Sequence, residues 1–160
     1  MRKILILAVS VTILTIACGG NSGSSTPVKL SGTTTNKGTK DLSGTSIDVE
    51  QDDFYFSPTF IKGGAPGSTV TVHLKNEGKQ THNFSIKALN IDETVSAGAT
   101  KDVQVTLPQS GATAFFCKFH LQSNGMQGAF FFKDGDTVGA GAAPAASTSS
   151  SSSSSGGYYN

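Results

Sequence analysis

Cysteine is scarce in this chain of 160 residues: only Cys18 and Cys117 occur, too few for a disulfide framework. Charge of either sign is also thin. Twelve Lys and Arg stand against eleven Asp and Glu, with no basic stripe for nucleic acid and no acidic tail. Nor is there a long hydrophobic run. The apolar stretch Ile4–Ile16 has thirteen residues, too short to span a bilayer comfortably. No Ser/His/Asp set and no paired-carboxylate motif stands out, so nothing points to an enzyme. With three histidines, two cysteines and two methionines in all, any clustering of these types carries information.

Met1–Ala17 reads as an export signal. Arg2 and Lys3 give the positive start, Ile4–Ile16 the apolar run and Ala17 a small residue before Cys18. The stretch LTIAC looks like a bacterial lipobox, with Thr15 in place of the usual Leu. The expectation is a lipoprotein lipidated on Cys18 and anchored to the bacterial cell envelope, on a periplasmic or extracellular face. An ordinary signal peptide cut nearby is the alternative. Removing residues 1–17 leaves ten basic and eleven acidic residues, a net charge of −1. If the Cys18 sulfur carries lipid, Cys117 is a lone thiol in an oxidising compartment, which calls for an explanation.

Residues 18–44 are mostly Gly, Ser, Thr and Asn, and read as a flexible tether above a membrane. Residues 138–160, with a serine tract from Ser149 to Ser155, read as a low-complexity tail. Between them, residues 45–137 form one domain. TVTVHLKN places Val70, Val72 and Leu74 on one face and Thr71, His73 and Lys75 on the other; KDVQVTL repeats the pattern with Val103, Val105 and Leu107. SIDVEQDDFYFSP, HNFSIKAL, TAFFCKF and QGAFFFKD are likewise short, β-branched or aromatic, and bounded by turn residues. No stretch has a convincing helical period, although a short turn around Leu121–Gly125 is allowed. An all-β antiparallel sandwich follows.

Cys117, His120 and Met126 fall within ten residues of AFFCKFHLQSNGMQGAFFF, and His82 begins another strand. Strand ends from different sheets meet at one rim of a sandwich, so these four can enclose one ion. The free cysteine could instead be an inert buried residue. A thiolate, two imidazoles and a thioether are too soft for calcium or magnesium. Two His and one Cys with a weak axial Met is the composition of an electron-transfer copper site; zinc more often takes further Cys or His. Phe115, Phe116, Phe119 and Phe130–Phe132 are placed to supply part of an apolar surround. His73 lies on a polar strand face and is not expected to be a ligand. Asp52, Asp53, Asp92 and Glu93 read as solvated charges.

DFYFSPTFIKGGAPGSTVTVHLKNEGKQTHNFSI followed by FFCKFHLQSNGMQG resembles the plastocyanin/azurin family of cupredoxins over about residues 46–133. The resemblance implies a Greek-key β-sandwich and one type 1 blue copper centre, Cu(I)/Cu(II), bound by His82, Cys117, His120 and Met126. Asn83 matches the asparagine that ties the two ligand-bearing segments together near the sulfur. One departure stands out: five residues, Leu121–Gly125, separate His120 from Met126 where plastocyanin-like loops usually have four. It bears on the axial bond, for which Gln122 and Gln127 are alternative donors.

The expected function is that of a membrane-tethered carrier of single electrons outside the cytoplasm, passing them through His120 to redox protein partners. A monomer is expected, with no nucleic acid. Three histidines cannot build a multicopper oxidase, and the missing second cysteine rules out a binuclear copper site. Copper delivery without a redox role, and a metal-free binding module of the same fold, are the rival readings.

Overall fold

A computed structural model describes residues 26–139. The expected export signal, Cys18 and the serine tract lie outside the described residues. Two sheets form the sandwich. The larger contains β1 (Thr39–Asp41), β4 (Phe60–Lys62), β10 (Gln127–Phe131), β9 (Thr113–Phe116), β6 (His82–Ile86) and β7 (Ile91–Val95), in that order. The smaller is ordered β3 (Tyr55–Ser57), β2 (Ser46–Asp52), β5 (Thr69–Asn76), β8 (Thr100–Thr106). One helical turn, α1 (Leu121–Asn124), lies where the sequence allowed it, between β9 and β10.

The period-two pattern sorts residues between core and solvent. Along β5, Val70, Val72 and Leu74 are buried while Thr71, His73 and Lys75 face outward; Val103 and Val105 of β8 join the same core. Phe56, Phe84, Phe115 and Phe130 fill the middle, with Phe115 edge-on to Phe56 at 5.1 Å between centroids and to Phe130 at 5.4 Å. Such pairs add about 0.5–1.5 kcal/mol each beyond their buried area.

The sandwich is not wholly antiparallel. β1 and β10 both pair with β4 in parallel, and β2 pairs with β5 in parallel. The cause is a crossover: between β2 and β5 the chain visits the other sheet as β4, so it returns running the same way.

The domain starts earlier than its composition indicates. Residues 26–44 were expected to be tether, yet β1 lies in the larger sheet and the Leu42 N–H donates to the Lys62 carbonyl at 2.7 Å. Alternation along β10 explains what the segment covers. Phe130 points between the sheets, while Ala129 and Phe131 point outward into a second cluster with Val28, Phe60 and Ala112, flanked by Leu30. A few apolar side chains in a Ser/Thr-rich segment suffice, because the sheet already presents the matching surface. At the other end, Val138 bridges Ala112, so pairing with the sandwich passes the expected boundary at 137.

Removing this cover should therefore destabilise the domain. A chain beginning at residue 44 should unfold at lower denaturant than one beginning at residue 26, and Val28→Ala alone should cost about 2 kcal/mol. Equal urea midpoints for the two lengths would mean that the outer face needs no cover.

Candidate metal centre

β6 and β9 are antiparallel neighbours, with Ser85 opposite Phe116. That register carries the start of β6 alongside the chain leaving β9, and so sets His82 beside Cys117 and His120. The three donor atoms converge: His82 Nδ1 is 3.2 Å from His120 Nδ1, Cys117 Sγ is 3.4 Å from His120 Nδ1, and Cys117 Sγ is 4.0 Å from His82 Nδ1. Among the described residues this is the one His/Cys/Asp/Glu group able to hold a metal ion. A triangle with those three sides has its equidistant point about 2.1 Å from each corner, the length of a metal–imidazole bond and slightly short for metal–thiolate. The donor set fits one copper ion in composition and in spacing.

The loop after β9 is built to hold its ligands. His120 and Leu121 N–H both donate to the Cys117 carbonyl, at 3.1 and 2.8 Å, and the Cys117 N–H donates to the Met126 carbonyl at 2.9 Å. The fifth loop residue is absorbed by α1, which closes on Gly125 in the left-handed region (φ 64°) with its N–H on the Leu121 carbonyl at 3.0 Å. Met126 follows, fully buried, its N–H 3.3 Å from the His120 carbonyl. Gln122 is exposed, and the Gln127 amide donates to Ser31 O (2.6 Å), Thr33 O (3.1 Å) and Thr34 Oγ1 (2.9 Å). The early segment thus fastens the ligand loop as well as the sheet. Thr33 lies so close to Gly125 that a Cβ there would overlap its carbonyl.

Asn83 joins the two ligand-bearing segments. Its N–H points at Cys117 Sγ at 3.3 Å. Its side-chain carbonyl accepts the Lys118 N–H at 3.2 Å and the Ser85 hydroxyl at 2.6 Å, while its NH₂ donates to Asp92 Oδ1 at 2.6 Å and the Glu93 carbonyl at 3.2 Å. Asp92, expected to be merely solvated, also receives the Lys118 ammonium at 2.7 Å. That ammonium and the Asn83 amide hold its carboxyl below the usual range.

Two contributors were missed in the sequence, both at the tip of the β2–β3 hairpin. Asp52 pairs with Tyr55, leaving Asp53 and Phe54 as the turn. Phe54 packs against both imidazoles, its centroid 4.6 Å from that of His120 and 6.2 Å from that of His82. Phe115 and Phe130 lie in the core and Phe131 in the outer cluster, while Phe119 is 48% exposed next to His120. Asp53 Oδ1 is 3.0 Å from His82 Nε2. Burial holds the His82 imidazole below its ordinary pKa; the Asp53 hydrogen bond opposes this and the neighbouring His120 reinforces it. A ligand imidazole must be neutral, which this burial favours. His73, half-exposed, pairs with Asp102 at 2.7 Å and takes no part.

Asn83→Ala keeps the backbone N–H on the sulfur but leaves the Lys118 amide and the Ser85 hydroxyl without their Asn83 side-chain partner. The metal-free variant should lose about 2–4 kcal/mol in urea unfolding. A loss under 0.5 kcal/mol would show that the clamp contributes nothing to the fold.

The model of the cupredoxin-like domain family matches residues 27–130. No curated protein matches. Among solved structures, a dithionite-reduced auracyanin from Roseiflexus castenholzii is similar at 18% identity and TM-score 0.48, covering 57% of this chain and 98% of its own. Auracyanin A, a "blue" copper protein from Chloroflexus aurantiacus, matches at 20% identity and TM-score 0.45, over 59% of this chain and 100% of its own. The metal-binding domain of a Cu(I)-exporting P-type ATPase from Streptococcus pneumoniae matches at 13% identity and TM-score 0.48, over 64% of this chain and 97% of its own.

Proposed function

The chain belongs to the cupredoxin-like domain family, and from that premise we propose that it is a blue copper protein that carries single electrons. His82, Cys117 and His120 would hold the ion through Nδ1, Sγ and Nδ1, with Met126 as a fourth, weaker donor. The observation that carries the reading is the convergence of one buried thiol and two imidazole nitrogens within 4.0 Å of each other. Bound there, copper supplies one-electron chemistry between Cu(II) and Cu(I), with the electron given and taken by a redox protein.

The chain's own residues provide a frame that need not move. Cys117 and His120 are fixed by backbone hydrogen bonds within their loop, and His82 is buried between Asp53 and Phe54. Phe54 and the core exclude water from the ligand side. His120 is the partly exposed imidazole, flanked by exposed Phe119. Electrons would pass at this edge to a partner docked on it.

The sequence supports export and a lipid on Cys18. Seven residues, Gly19–Ser25, separate Cys18 from the first described residue, eight Cα-to-Cα steps that permit a reach of at most about 29 Å. The carrier would then work close to the membrane and not swing far above it.

Adding Cu(II) to the full chain should give an intense blue or green colour at one ion per chain, and Cys117→Ser should be pale and weakly bound, because the thiolate supplies the charge-transfer band. Intense colour in the serine variant would refute the centre. Slow electron self-exchange with ready copper release to an acceptor would favour copper delivery instead.

Met126→Leu should keep copper and colour but raise the reduction potential, since a donor to Cu(II) is lost. Voltammetry of both proteins decides it. An unchanged potential and spectrum would remove Met126 from the ligand set.

A further inference from the structure

The carboxylate at the β2–β3 hairpin tip is unexplained by the ligand set. Asp53 Oδ1 lies 3.0 Å from Nε2 of His82, the ring nitrogen on the far side from Cys117 and His120. The carboxylate is itself held in place. Its Oδ2 accepts the Lys79 N–H at 3.1 Å, and its own N–H donates to Asp52 Oδ1 at 2.7 Å. Asp52 in turn is fixed by the Tyr55 hydroxyl at 2.8 Å. Gly78 permits the approach: a Cβ at that position would stand 2.6 Å from Asp53 Oδ1 and 2.9 Å from His82 Nε2. The His82 side chain is fully buried and that of Asp53 is 23% exposed, so water screens the pair only from one side.

Resting on the proposed copper reading, we propose that Asp53 is a positioning residue that acts through His82 in two ways. It accepts the Nε2–H, which fixes the tautomer with the Nδ1 lone pair facing Cys117 and His120. It also sets a negative charge against the far side of a metal-ligating ring, which makes the imidazole a stronger donor and favours Cu(II) over Cu(I). With copper bound, an electron supplied by the redox partner would arrive against this fixed negative charge, with no bond to Asp53 made or broken. The loop residues of the ligand motif do not determine this setting; a two-residue turn 29 positions before His82 does.

Two variants of the full chain separate the effects. Asp53→Asn keeps an acceptor oxygen and removes the charge; Asp53→Ala removes both. In voltammetry of the copper-loaded proteins, Asp53→Asn should raise the Cu(I)/Cu(II) ratio at a fixed applied potential about tenfold, a shift of about 59 mV. In ¹⁵N NMR of the metal-free proteins, His82 should be the Nε2–H tautomer in the wild type and in Asp53→Asn, and a mixture in Asp53→Ala. An unshifted potential in Asp53→Asn overturns the charge effect, and an unaltered tautomer in Asp53→Ala overturns the positioning. If the wild type forms no coloured copper site, the electron-carrier reading fails, while the metal-free NMR comparison still decides what Asp53 does to His82.

Discussion

The backbone amide of Asn83 stands 3.3 Å from the Cys117 sulfur, and the site depends on that contact. His82 precedes Asn83 on β6, while Cys117 and His120 leave β9, so the ligands come from chain segments 35 residues apart. The Asn83 side chain repeats the tie on the Lys118 amide and the Asp92 carboxylate. Hydrogen bonds in such a network polarise one another, and each is stronger where water is excluded. The protein's own bonds thus tie together the segments that carry the donors.

The same economy explains the early segment. Strand β10 sits inside the larger sheet and is buried on both faces, so it needs cover outside as well as inside. Val28 and Leu30 supply that cover over Phe131, and three residues later the backbone of Thr33 and the hydroxyl of Thr34 take up the Gln127 amide. Gln127 is adjacent to Met126. One segment thus shields the sheet and braces the end of the ligand loop, which couples the stability of the domain's edge to the placement of the thioether.

The convergence of His82, Cys117 and His120 was legible in the sequence because rare residue types stood together in one loop, and because His-Asn began a strand pattern. The core strands were legible because Val70, Val72 and Leu74 alternate with polar neighbours. Asp53 and Phe54 were not. An Asp-Phe pair next to a strand looks solvated until the hairpin closes and the turn folds onto His82, a contact that no local period encodes. Val28, Leu30 and Leu42 were hidden for another reason. Composition argued for a tether, but burial here depends on the partner surface and not on the density of apolar residues in the segment. The parallel pairing of β2 with β5 was equally invisible, since alternation fixes which face a residue takes and not which strand lies beside it.

These pieces bear on one requirement. An electron carrier works best when its donors occupy nearly the same positions before and after transfer, because every displacement must be reorganised at the moment of reaction. Here four segments enclose the site: the hairpin tip on the far side of His82, β6 behind the sulfur, the α1 turn carrying His120 and Met126, and the early segment behind that turn. Each is bonded to a neighbour by at least one backbone group, so none is free to follow the ion's preference. On the proposed copper reading, a frame of this kind would leave the potential to be tuned by groups that do not touch the ion, since charge can be changed at the hairpin tip without altering a single donor.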